Sequence, residues 1–205
     1  MLVVPDELAP SADVTVPGRL RLRRATPHDL EVVYAIHSDP RTNIHNPAGP
    51  DRDRRASQAR LTEWLEHWEE HEFGYQVVEL TDLPMSVIGF TGVRRSTWSD
   101  VPVLNLYYRY AADHHGHGYA TEGARHVVAW AAARYPATPV VAITTLDNTG
   151  SQRTAEAAGL AHRPRHSWST CGVGGGRSSS PRIGRPPRRS RIPIGTGSGA
   201  VSRWP

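Results

Sequence analysis

Apolar residues along the chain repeat with two different periods. Residues 19–24 alternate arginine with Leu20 and Leu22, the period-two mark of a half-buried strand. Thr26, Pro27 and Asp29 then read as a helix opening, with a cap, a proline at the first helical position and an acid in the first turn. Leu30, Val33 and Tyr34 carry that helix to about His37, and residues 43–50 form a turn-rich loop. From about Arg55 a second helix presents Leu61, Trp64, Leu65 and Trp68 as one apolar stripe. Residues 75–80, 86–93 and 103–110 are three strands joined by short polar turns. Ala120, Ala124, Val127, Val128 and Ala131 mark a third helix. Residues 139–145 form a buried-type strand, and residues 151–158 a short helix that stops at Gly159. The order β-α-α-β-β-β-α-β-α predicts a mixed α/β domain, an α+β arrangement on one mixed sheet.

Residues 113–124 join a strand to the third helix through Gly116 and Gly118. Such a turn suits an anion, with a plain tight strand-to-helix turn as the equal alternative on the glycine pair alone. The first helical amides have no intrahelical acceptor, the helix dipole favours negative charge, and glycine lets the backbone approach a phosphate. Ala120 leaves the next turn open. A Walker loop is excluded, since no Gly-Lys-Ser/Thr follows, and a dinucleotide fingerprint lacks its third glycine. Asp113, His114, His115 and His117 stand too close in sequence to favour a shared metal, and no metal site is expected.

The string His115, Gly116, His117, Gly118, Tyr119, Ala120 resembles the Gln/Arg-x-x-Gly-x-Gly/Ala motif of the GNAT N-acetyltransferase superfamily, most closely its RimJ/RimL-like branch. About thirty residues on, Asn148, Ser151, Gly159 and Leu160 resemble the family's Asn-x-x-Ser…Gly-Phe segment. The resemblance spans about residues 19–163. It implies acetyl-CoA as acetyl donor, with its pyrophosphate on the amides of Gly116, His117, Gly118, Tyr119, Ala120 and Thr121, and with His115 at the motif's first position. It also implies that Tyr108, Arg109 and Tyr110 pair with the pantetheine arm, that Asn148 bonds a pantetheine amide, and that Ser151 lies near the sulfur as the acid. A helix cap is the equal alternative for Ser151. The family's usual glutamate base falls on Asn105, an amide that takes no proton. Glu122 is a second candidate base, and a helix-start acid serving the dipole is its favoured reading. The resemblance puts the loop 43–50 where the family walls its acceptor site, with a plain solvated loop as the equal alternative, and Trp64 and Trp68 read as core rather than pocket.

Composition changes this picture mainly at the C-terminal end. All 24 basic residues are arginine. Residues 1–156 carry 15 of them against all 20 acids, a balance of −5; residues 157–205 carry nine and no acid, which gives the overall +4. The pI of about 9.6 is thus a property of the tail. The domain plan is a loose leader over 1–18, an acetyltransferase domain over 19–163, and a disordered Arg/Gly/Ser/Pro-rich tail over 164–205 in place of the family's last two strands. That tail reads as a nucleic-acid arm, as a linker or, the favoured reading, as a frame-shifted ending of a GC-rich gene, which leaves nucleic acid a disfavoured partner. Cys171 stands alone, and no signal peptide or membrane-length apolar run occurs, so a soluble cytoplasmic protein without a membrane partner is expected.

The functional expectation is acetyl transfer from acetyl-CoA to a primary amine, either a protein N-terminal α-amine or a small-molecule amine. A weak or inactive acyl-CoA binder is the main alternative, motivated by Asn105 and the missing strands.

Overall fold

The computed structural model describes residues 13–15, 18–83, 85–163 and 168–170. The elements run β1 (Asp13–Thr15), β2 (Leu20–Arg24), α1 (Leu30–Ser38), α2 (Arg54–His71), β3 (Tyr75–Leu80), β4 (Val87–Trp98) and β5 (Val101–Tyr110), then α3 (Tyr119–Arg134), β6 (Val140–Ile143), α4 (Thr149–Ala157), β7 (Ala161–Arg163) and β8 (Trp168–Thr170). They form one mixed sheet in the order β1-β2-β3-β4-β5-β6-β8-β7. Every neighbouring pair is antiparallel except β5 and β6, which run parallel across the α3 crossover.

Alternation along the strands sends side chains to two cores. On one face Leu20, Leu22, Leu104, Leu106 and Tyr110 pack beneath Ala124, Val127 and Ala131 of α3 and Ala155 of α4. On the other, Tyr75, Val77 and Phe90 meet Val33 and Ile36 of α1 and Leu61 and Trp64 of α2. Trp64 and Trp68 are buried, Trp68 donating to Tyr75 O at 2.7 Å, so the apolar stripe of α2 is core. Removing one such indole costs about 3–5 kcal/mol. Arg23 points away from the leucines of β2 and bonds Asp29 and Glu79 at 2.6 and 2.7 Å, which fixes α1 to the sheet. Asp29 in turn accepts from Thr26 N at 2.7 Å.

Two expectations are corrected. The leader carries a strand, β1, paired with β2. The sheet also does not end at 163: β7 and β8 follow α4, and β8 pairs antiparallel with β6. Strands of three residues are too short to show a period of two, and they join the sheet through backbone bonds that any residue but proline can make. Residues 1–12 and 171–205, Cys171 and most of the arginine-rich tail among them, lie outside the described residues. No helix among the described residues is long and apolar enough to cross a membrane.

Candidate active site

β5 pairs with β4 along its whole length, yet meets β6 only at Leu104↔Val140 and Asn105↔Val141. Beyond Asn105 the two parallel strands part. The gap opens a cleft of about 840 Å³, with Leu106 to Tyr110 on one wall and Ala142 to Thr145 on the other. A strand edge without a strand partner offers amides and carbonyls to an extended ligand.

The glycine turn borders the same cleft. Gly116 and Gly118 adopt φ of 79° and 82°, a left-handed backbone that glycine takes without penalty. A Cβ on Gly116 would meet nothing within 4 Å, so conformation rather than packing asks for glycine there. The first amide of α3 to bond back is that of Glu122, to Gly118 O at 3.1 Å. The amides of Tyr119, Ala120 and Thr121 have no backbone acceptor among the described residues.

Side chains brace this turn from behind. Glu122 accepts from Arg19 N at 2.7 Å and from its guanidinium at 2.8 Å, and Arg19 also donates to His117 O at 3.1 Å. Glu122 is therefore a clamp between β2 and the helix start. His115 Nε2 bonds Tyr110 O at 2.9 Å, and His117 Nδ1 bonds His115 O at 2.9 Å while its ring stacks on Tyr119. Among the described residues no three His, Cys, Asp or Glu side chains are grouped to hold a metal ion.

Across the cleft, Asn148 caps α4, its Oδ1 accepting from Ser151 N at 3.0 Å, which leaves Nδ2 available. Tyr108 Oη donates to Ser151 O at 2.8 Å and lies 2.9 Å from Ser151 Oγ. With its one proton on the carbonyl, the phenol accepts from the serine hydroxyl. Burial pushes the Tyr108 phenol up to about 12, so it stays neutral. The sequence reading placed both residues in the site but missed their contact, which spans 43 positions and has no local signal.

The opposite face of β5 presents Asn105, Tyr107 and Arg109 toward α1 and α2. Asn105 is not among the residues lining the cleft. Its Nδ2 donates to Tyr75 Oη at 3.3 Å, and its buried Oδ1 has no partner among the described residues. Tyr107, which sequence reasoning did not single out, donates to His37 Nε2 at 2.8 Å, while His37 Nδ1 donates to Val33 O at 2.8 Å. Burial pulls His37 down to about 3 and keeps it neutral. Arg109 Nη1 donates to Thr42 O at 3.2 Å and to Asn43 Oδ1. Asn43 holds the same loop from within, donating to His37 O and Asp39 O at 2.8 Å each.

The loop after α1 thus walls the cleft with Ile44, His45, Asn46 and Pro47. His45 Nδ1 reaches Asp147 Oδ2 at 3.2 Å, linking that loop to the turn before α4. No Asp or Glu lines the cleft among the described residues.

Parallel strands that part beside the amide-rich start of a helix define a fold built to hold an extended, phosphate-bearing ligand at its sheet. The chain belongs to the GNAT acetyltransferases: residues 19–161 match the family described as acetyltransferase (GNAT) domain. Solved structures share its fold. An acetyltransferase from Agrobacterium tumefaciens str. C58 is 21% identical at a TM-score of 0.63, covering 83% of this chain and 94% of its own. The ribosomal-protein-S5-alanine acetyltransferase of Vibrio fischeri is 17% identical at 0.55, covering 73% and 82%. The microcin C7 self-immunity acetyltransferase MccE, in complex with acetyl-CoA and AMP, is 13% identical at 0.58, covering 76% and 86%. No curated protein matches the sequence.

Proposed function

We propose that this protein transfers the acetyl group of acetyl-CoA to a primary amine. The observation that carries the reading is the parting of β5 from β6 beside the free amides of Tyr119, Ala120 and Thr121, with Asn148 and Ser151 on the far wall. In this reading the pyrophosphate lies on the amides of Gly116 to Thr121, the turn braced by His115. The pantetheine arm takes the place of a strand along Tyr108, Arg109 and Tyr110, and Asn148 Nδ2 donates to one of its amide carbonyls.

In the reaction the amine nitrogen bonds the acetyl carbon and the carbon–sulfur bond breaks. Nitrogen gives up one proton and the departing sulfur takes one. Ser151, held beside Tyr108, turns its one O–H from the phenol to that sulfur, gives up the proton, and regains one from the nitrogen. Asn105 takes no part in the proton transfer, being an amide outside the cleft.

With no carboxylate lining the cleft, the side chains there that could take a proton are His45, His114 and His115, weak bases that suit an amine of low pKa. An α-amine has a pKa of about 8 and a lysine about 10.4, so neutral lysine costs roughly 3 kcal/mol more at pH 7. The acceptor is accordingly an α-amine, on a protein N-terminus or a small molecule, or another amine of low pKa. Thiol release from acetyl-CoA across a panel of α-amines and lysine-type amines tests this. Faster turnover of the α-amines is expected, and preferential turnover of lysine-type amines overturns it. Acetyl-CoA binding with no thiol release from any amine would leave an acyl-CoA binder instead.

A further inference from the structure

The cleft contains a positive charge that no carboxylate of the described chain neutralises. Arg41 and Arg109 line it. Arg41 is paired with Asp39 at 2.8 Å and Asp113 at 2.7 Å. Arg109 has no carboxylate within 4 Å among the described residues, and its anchors, Thr42 O and Asn43 Oδ1, are both neutral. Neutral acceptors fix the direction of a guanidinium without cancelling its charge. A partly buried cation so held is poised for an anion with two oxygens, which its planar fork matches.

Position decides which anion. The amides that suit a phosphate open α3, which packs on the β5 face of Leu106 and Tyr110, the face that also carries Tyr108 and Ser151. Arg109 stands on the other face, beside Tyr107 and the loop after α1 that walls the cleft. Ile44 and Ile143, both exposed, line the same cleft and suit an apolar group.

We infer that Arg109 receives a carboxylate of the acceptor, so that the amine acetylated belongs to a small, free amino acid with an apolar side chain rather than to a polypeptide N-terminus, whose α-carboxyl is tied up as an amide. This rests on the acetyltransferase reading above.

The test pairs leucine, phenylalanine and methionine with their carboxamides as acceptors, using the full chain, thiol release as the assay and a parallel calorimetric titration with acetyl-CoA. Because a free amino acid's own carboxylate raises its ammonium pKa above that of its amide, rates are compared per neutral amine. On that basis the free acids are expected to exceed their amides at least about tenfold in kcat/KM, as a charged hydrogen bond implies. In the reading above the pantetheine arm pairs with the backbone of this strand, so Arg109→Gln should erase that preference with a smaller loss of acetyl-CoA affinity, and Arg109→Lys should keep part of it. Equal use of acid and amide by the wild-type protein overturns the inference. So does an Arg109→Gln variant that keeps the preference, or one whose main loss is acetyl-CoA affinity, which would assign the anion to the coenzyme's phosphates. Acetyl-CoA binding without transfer to any of the six acceptors also overturns it. Failure to bind acetyl-CoA at all would instead remove the parent reading.

Discussion

Replacing Tyr108 by phenylalanine probes the acid side of the reaction with the smallest perturbation available. It deletes one oxygen atom that bonds Ser151 O at 2.8 Å and Ser151 Oγ at 2.9 Å. The carbonyl belongs to the first turn of α4 and keeps its helical partner, so the group that loses its anchor is the serine hydroxyl. Losing a buried hydroxyl's bonds costs about 1–2 kcal/mol. For a domain of this size that is a Tm lower by roughly 3–6 °C. Catalysis should fall further than folding. General acid catalysis contributes about 10²–10⁴-fold, so Ser151→Ala should lower kcat by about a hundredfold. Tyr108→Phe leaves the hydroxyl present but free to rotate, and should cost about tenfold. Acetyl-CoA affinity, measured by calorimetry, should change less than threefold in either variant. Because both act on one hydroxyl, the double variant should be no slower than Ser151→Ala alone. Effects of the two substitutions that multiply, or an unchanged kcat for Ser151→Ala, would refute this.

Two further outcomes follow from packing and from buried histidines. A methyl on Gly123 would sit 2.7 Å from Tyr110 Oη and 3.3 Å from Thr91 Cγ2, so Gly123→Ala should destabilise by about 1–3 kcal/mol in thermal unfolding. Tyr110 Oη is buried with no partner among the described residues, so adding Tyr110→Phe should restore most of that loss; no recovery would contradict it. His37 and His67 are pulled below the ordinary 6.5, to about 3 and about 4, chiefly by burial. Between those values and 6.5 the unfolded chain binds protons that the folded one refuses. Stability measured by urea unfolding should therefore decline as pH drops below 6.5, with a limiting slope of about 1.4 kcal/mol per pH unit per histidine, and stay flat above it. Substituting His37 by Gln should flatten the slope, and an unchanged slope would refute the assignment.

The sequence announced its long periodic elements and hid what depends on partners far away in the chain. The leucines of β2 and the stripe Leu61, Trp64, Leu65, Trp68 are legible because burial on one face forces a period. β4 outran its expected end at residue 93 because Arg94, Arg95, Ser96 and Thr97 show no alternation of apolar and polar residues. It persists through pairing with β5 across a tight turn in which Ser99 and Asp100 take φ of 47° and 64°. The turn into α3 was readable from Gly116 and Gly118, since only glycine adopts those angles freely, but its reading as an anion site rather than a plain turn, and any role for Asn148, came only with the resemblance of both motifs to the family. The geometry separated Asn105 from the cleft and made Arg109 half of a loop contact. Both depend on which face of β5 a residue takes and on what the loop after α1 brings against it.

One titration tests the account's central claim most directly: acetyl-CoA against S-acetylpantetheine, each followed by calorimetry on the full chain. The glycine turn, if it carries the pyrophosphate, predicts one acetyl-CoA site per chain and binding of S-acetylpantetheine at least about a hundredfold weaker. Equal affinity for the two compounds, or no heat with acetyl-CoA, would contradict it.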